Sequence, residues 1–164
     1  MKREIEILKD FIETNLIEKS NDQDINLKGV YIGEPYGVYS FDTPAVYLIP
    51  SRTNSISGQY VGEDTRREQI AVRFYVDGAR PMGATNNDPT PKTMELIELS
   101  ELFVAYARQD PTFNSRYVNS EVSNVTYMTA QNGDTNVYRI AEITLNVVSR
   151  RLWNMNGITD QNNI

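Results

Sequence analysis

Apolar residues recur at helical spacing near the start of the chain. Ile5, Leu8, Ile12 and Leu16 form a stripe that Ile7 and Phe11 widen. Steps of three and four residues predict an amphipathic helix over residues 2–19. Ser20-Asn21-Asp22 ends it. The period then changes to two. Ala141, Ile143, Leu145 and Val147 alternate with Glu142, Thr144 and Asn146, and Val148 breaks the pattern. That alternation predicts a strand with one face on a core and the other toward water or a partner. Ile70, Val72, Phe74 and Val76 alternate in the same way with Ala71, Arg73, Tyr75 and Asp77.

Shorter extended runs lie between these elements. Val30-Tyr31-Ile32 is followed by Gly33, Pro35 and Gly37, which mark it as short or bent. Val38–Phe41 resumes it. Ala45–Ile49 is a further strand between Pro44 and Pro50. Residues 121–129 read as a strand in which Val122 and Val125 are poorly phased. Gln131-Asn132-Gly133-Asp134 is the hairpin turn that joins it to the last strand. Between the second strong strand and this hairpin stands a long helix, residues 91–109. Thr90 is its expected N-cap, Pro91 suits the first helical position and Glu95 adds acid near the start. Leu96, Leu99, Phe103 and Tyr106 share a stripe with Leu102 beside it, and Asp110-Pro111 ends the helix.

The order is helix, strands, long helix, hairpin. It predicts an α+β fold: a mostly antiparallel or mixed sheet with the N-terminal helix and the central helix packed on one face. One domain over 1–153 and a polar tail over 154–164 are expected. Residues 51–68 read as polar and loop-like between two convincing strands, longer than the two to five residues usual in a tight hairpin loop. Ile56, Tyr60 and Val61 are apolar within it. The segment is therefore either an arm that packs on a partner or an extension of the two strands.

Composition narrows the chemistry. The 164 residues are 40% hydrophobic and 23% charged, ordinary for a globular domain. No apolar run reaches the roughly 18 residues of a membrane span, and the start lacks the apolar core of a signal peptide, so a cytoplasmic site of synthesis and assembly is expected. The chain has no Cys and no His, which excludes disulfides, thiol chemistry and the commonest general base and metal ligand. A net charge of −6 is not the footprint of duplex binding, and no sequence-specific nucleic-acid contact is expected.

Carboxylate pairs fare no better. Asp22-x-Asp24 resembles the start of a calcium loop, but Lys28-Gly29 stands where further oxygen ligands belong. Glu63-Asp64 is a bare pair, and Glu98 with Glu101 fits the solvated side of the helix. No phosphate loop and no nucleophile–base pair is present. No enzyme activity, cofactor or metal is expected. Tyr is abundant, with ten residues, and suits interfaces; for Tyr31, Tyr47, Tyr75, Tyr127 and Tyr138 the favoured reading is half-buried strand positions. Two basic spots remain. Arg66-Arg67 either grips an acidic neighbour or is solvated. Arg150-Arg151-Leu152-Trp153 either anchors an interface or folds Trp153 back on the core edge.

In order, length and pattern the chain resembles tail terminator (tail completion) proteins of long-tailed bacteriophages. The features that carry the resemblance are the N-terminal helix; the strand pair near Ala45–Ile49 and Glu68–Asp77 with Gly58-Gln59-Tyr60 in the polar connection; the helix Pro91–Gln109; and the closing hairpin with Ala141–Val147 followed by Arg150-Arg151. They span residues 2 to about 153. The resemblance implies a virion protein of the tail and neck, six copies of which close into a ring on the tail tube. The ring ends tube growth, meets the head connector and lets DNA pass through its lumen. Implied partners are the chain itself, the tail tube protein, the connector or stopper and the sheath of a contractile tail. The interface residues expected on this basis are Arg52, Ile56, Gln59, Tyr60, Val61, Arg66, Arg67, Arg150, Arg151 and Trp153. Rival readings are a head-side adaptor and a small ligand-binding or enzymatic domain.

Overall fold

The computed structural model of the chain describes residues 2–22, 25–35, 42–57, 63–78, 89–132, 136–154 and 157–159. At 21–22, 55–57, 63–64, 131–132, 136, 151–154 and 157–159 the description is of the backbone alone. Helix α1 (Lys2–Phe11) runs through a π-helical turn (Ile12–Leu16) into α2 (Ile17–Asp22), and α3 spans Thr90–Gln109. The strands are β1 (Gly29–Ile32), β2 (Ala45–Ser57), β3 (Glu63–Asp77), β4 (Asn119–Asn132), β5 (Asn136–Asn154) and β6 (Gly157–Thr159). They form one mixed sheet in the order β1-β2-β3-β5-β4, with β6 paired to the far end of β5. Among the described strands only β1 with β2 is parallel. The α+β architecture with both helices on one face is as the periodicity indicates.

Alternation builds the core. Val46 and Leu48 of β2, Ile70, Val72, Phe74 and Val76 of β3, and Ala141, Ile143, Leu145 and Val147 of β5 share one face and are fully buried. The α1 stripe and Leu96, Leu99 and Phe103 of α3 close over them. Phe74 meets Phe103 at 5.9 Å between ring centroids. The π-helical turn is tied by Asn15, whose Nδ2 donates to the Phe11 carbonyl at 2.9 Å. Its wider turn keeps Ile12 and Leu16 on the buried side. Val122 and Val125 lose phase because the β4–β5 register shifts between Val122 and Asn124, a bulge that returns Val125 to the core side.

One expectation changes and two gain detail. Thr90 lies within α3; the N-cap is Pro89, whose carbonyl accepts from both N and Oγ1 of Thr93. The 51–68 segment is strand wherever it is described, since β2 runs to Ser57 and β3 starts at Glu63. Backbone ladders do not need an apolar face, so the hydrophobic pattern stops well before the pairing does. Within the expected tail, Gly157–Thr159 pairs with Leu152–Asn154. The Val38–Phe41 run lies outside the described residues.

Residues 110–117, without pattern in the sequence, are a shaped turn. Phe113, Asn114 and Ser115 all take left-handed φ values (48°, 58° and 62°), at a cost of roughly 1–2 kcal/mol per residue. The Asp110 carboxylate holds the turn by accepting from N and Oγ1 of Thr112 and from N of Asn114. The Thr112 bond first, then that from Asn114, keeps its pKa below the ordinary value. The turn buries Phe113 edge-on against Phe11 (4.7 Å) and Tyr117 (5.5 Å).

Two carboxyls lie under the helix layer. Glu4 of α1 and Glu68 of β3 are both inaccessible to solvent, and the Tyr117 hydroxyl donates to the Glu4 main-chain carbonyl. Burial, and then the adjacent Glu4 charge, push the Glu68 pKa above its ordinary value of 4.5. A raised carboxyl pKa contributes stability that is complete below the unfolded value and is lost as pH rises through the folded value. Glu68→Gln should lack that loss. In urea unfolding, the stability difference between variant and wild type should move in the variant's favour as pH rises from about 4 to about 7; a difference independent of pH would contradict the buried-pair account. Leu99→Ala should cost about 2–5 kcal/mol in the same assay by opening a cavity between α3 and the sheet.

Candidate interaction surface

The face of the sheet away from the helices has three zones, set by the same two-residue period. At the β1 side, Ala45, Tyr47, Tyr75, Tyr138 and Ile140 form a second buried cluster. Tyr31 stacks on Tyr47 at 5.2 Å, and Tyr47 meets Tyr75 edge-on at 5.1 Å. Burial, then the neighbouring Tyr31, raises the Tyr47 pKa, and burial raises that of Tyr75. Tyr47, Tyr75 and Tyr138 are thus more buried than a half-buried strand predicts, while Tyr31 and Tyr127 are 42% and 50% exposed.

The middle zone is an ion-pair bridge. Arg73 of β3 donates through Nε to Glu142 of β5 at 2.5 Å and through Nη1 to Glu34, just beyond β1, at 2.7 Å. Burial works to lower the Arg73 pKa, but the bond to Glu142 and the charges of both carboxylates outweigh it and hold the guanidinium above its ordinary value. The bridge ties the centre of the sheet to the segment after β1.

The third zone is the far end. Among the described side chains the apolar core stops at Leu48 in β2, Ile70 in β3 and Val147 in β5. The strands run on as an arm of β2, β3 and β5, with β6 along its edge. Register places Arg52 opposite Gln69, Asn54 opposite Arg67, and Arg150 opposite Thr65. By strand alternation these residues share the outer face. Arg52, Asn54, Arg67 and Arg150 are exposed. Gln69 Nε2 donates to Asn146 Oδ1 at 3.3 Å, and Arg52 Nε donates to Asn54 Oδ1 at 3.1 Å. The zone is basic and amide-rich on a chain of net charge −6.

Of the expected interface residues, the structure therefore gathers Arg52, Arg67 and Arg150 on one face. Arg66 falls on the opposite, helix-side face of β3 and is half-buried, because adjacent strand residues point to opposite faces. Ile56, Arg151 and Trp153 are placed by backbone only, opposite Thr65, Asp64 and Ile158. Gln59, Tyr60 and Val61 lie outside the described residues, as does Asp24. Asn54, Gln69 and Asn146 were not among the expected residues; the strand period alone could have found Gln69 and Asn146. Glu98 and Glu101 are both exposed on α3. No helix among the described residues is long and apolar enough to cross a membrane. No protein-family model matches this sequence, and no curated protein sequence matches it.

Arg73→Met should lower stability by about 1.5–3 kcal/mol in denaturant unfolding, the usual range for hydrogen bonds to charged groups. The additional replacement Glu142→Gln should recover part of that loss, because it removes the carboxylate that the first change leaves without its main partner.

Proposed function

We propose that the protein is a structural virion component of a long-tailed bacteriophage: a tail terminator whose copies close into a ring, six in number, on the end of the tail tube. In this reading the ring stops tube growth, presents a surface to the head connector and leaves a lumen for DNA. It is made and assembled in the host cytoplasm and ends in the neck of the virion.

The observation that carries the reading is the arm. Three strands continue past the helix-covered core and offer a polar, arginine-bearing face that the folding of a single copy does not bury. A surface of this kind suits contact with other chains. The 14-residue strand β4 supports the same reading: it lies at the edge of the sheet, with Tyr127 and Met128 exposed along it, and a strand edge is a ready contact for a neighbour. The resemblance in element order and length agrees with both. By analogy the arm faces the tube or a neighbouring copy, and the strand edges lie between copies.

Deletion of the gene from the phage, with tail lengths measured by negative-stain electron microscopy, tests the proposal. Overlong, headless tails of scattered length are the expected result. Tails of normal length beside separate filled heads would move the protein to the head-side adaptor, and intact infectious particles would overturn both.

A further inference from the structure

We infer that the arginine-bearing face of the arm seats on the solvent side of α3 in a second copy of this chain. The inference rests on the ring reading for its biological setting; the contact itself rests on charge and topology.

The register makes the arginines a diagonal row. Arg52 lies opposite Gln69, Arg67 is two residues further along β3, and Arg150 is opposite Thr65, two residues further again. Each step crosses one strand and advances two residues, so successive Cα positions are about 8 Å apart, given strands about 4.8 Å apart and a rise of about 3.4 Å per residue. The row is flanked by the neutral polar side chains of Asn54, Gln69 and Asn146 and, on β4, by exposed Glu121 opposite Asn146; the row still carries three guanidiniums to this one carboxylate.

The counterpart is on the other layer of the molecule. Glu98 and Glu101 are exposed on the side of α3 opposite buried Leu99 and Phe103, and a three-residue step places them about 5–6 Å apart. Exposed Ala105 and half-buried Leu102 continue this side as a low apolar step. Lys92, near the start of the helix, is already engaged by Glu95 at 2.6 Å, and the remaining cation of α3, Arg108, stands two turns beyond Glu101. The sheet itself separates the two surfaces, so the arginines of one copy cannot reach the α3 carboxylates of the same copy. The contact they define joins two different patches on two copies, the head-to-tail kind that closes into a ring. Copies with net charge −6 repel at long range, and opposed local patches orient them against that repulsion.

The absence of natural cysteine allows a direct test. Asn54→Cys and Ala105→Cys, combined in one chain, place one thiol beside each patch and leave every charge intact. Treatment of the purified protein with a short bis-maleimide at low salt should give a ladder of linked copies. Either cysteine alone should give at most linked pairs, and the ladder should fade as salt is raised. Adding Arg67→Glu and Arg150→Glu should remove the ladder, and further adding Glu98→Arg and Glu101→Arg should restore it. A ladder unaffected by Arg67→Glu and Arg150→Glu, or no ladder from the double-cysteine chain, would overturn the inference. A charge-dependent ladder from a protein whose loss leaves tails unchanged would keep the contact and discard the tail-terminator role.

Discussion

The pairing of β3 with β5 is the constraint on which the rest depends. It runs unbroken from Glu63 opposite Leu152 to Asp77 opposite Tyr138. Because side chains alternate, this single register decides which residues of both strands lie under the helices and which face outward. A slip of β5 by one residue against β3 would put Glu142 and Asn146 into the core and expose Ile143 and Leu145. The apolar residues of α1 and α3 are usable only because the register gathers a continuous apolar strip beneath them. The Arg73 bridge and the arginine row exist for the same reason, on the other face.

The helix layer is held from its margins as well as from its centre. Left-handed backbone at Phe113 through Ser115 is unfavourable by itself, and it persists because the Asp110 carboxylate satisfies the turn's amides while Phe113 fills the space between Phe11 and Tyr117. The same turn delivers the Tyr117 hydroxyl to the main-chain carbonyl of Glu4, whose buried carboxyl acts on that of Glu68 through its charge. An α1 residue, a β3 residue and the connection after α3 are thereby locked together around two carboxyls that water does not reach. Such a cluster is sensitive to any change that leaves one member without its partner.

Two exposed patches on opposite layers differ in sign. The helix layer shows carboxylates to solvent at Glu98 and Glu101, and the far end of the sheet shows guanidiniums at Arg52, Arg67 and Arg150. Oppositely charged patches on the two layers are the arrangement that head-to-tail association can use. In the proposed tail-terminator reading, both patches and the projecting arm lie between copies.

The main elements were legible from the chain because each announces itself by burying one side. Ile5 to Leu16, Leu96 to Phe103, Ile70 to Val76 and Ala141 to Val147 repeat with the period of the structure they adopt, and a buried stripe needs no knowledge of its partner to be recognised. Where burial ends, so does legibility. The arm is polar, so its ladder left no periodic trace, and residues 51–57 and 63–67 read as loop-like, with strand extension only one of two open readings. The 110–117 turn depends on contacts with Phe11 and Glu4, more than a hundred residues away in sequence. Arg66-Arg67 looks like one basic spot in the chain, yet the pleat sends its members to opposite faces and joins Arg67 instead to Arg52 and Arg150. Local periodicity determined the helices, the strong strands and the α+β class. Strand order, register and the company each charged side chain keeps were decided only in three dimensions, because they depend on which distant segments pair.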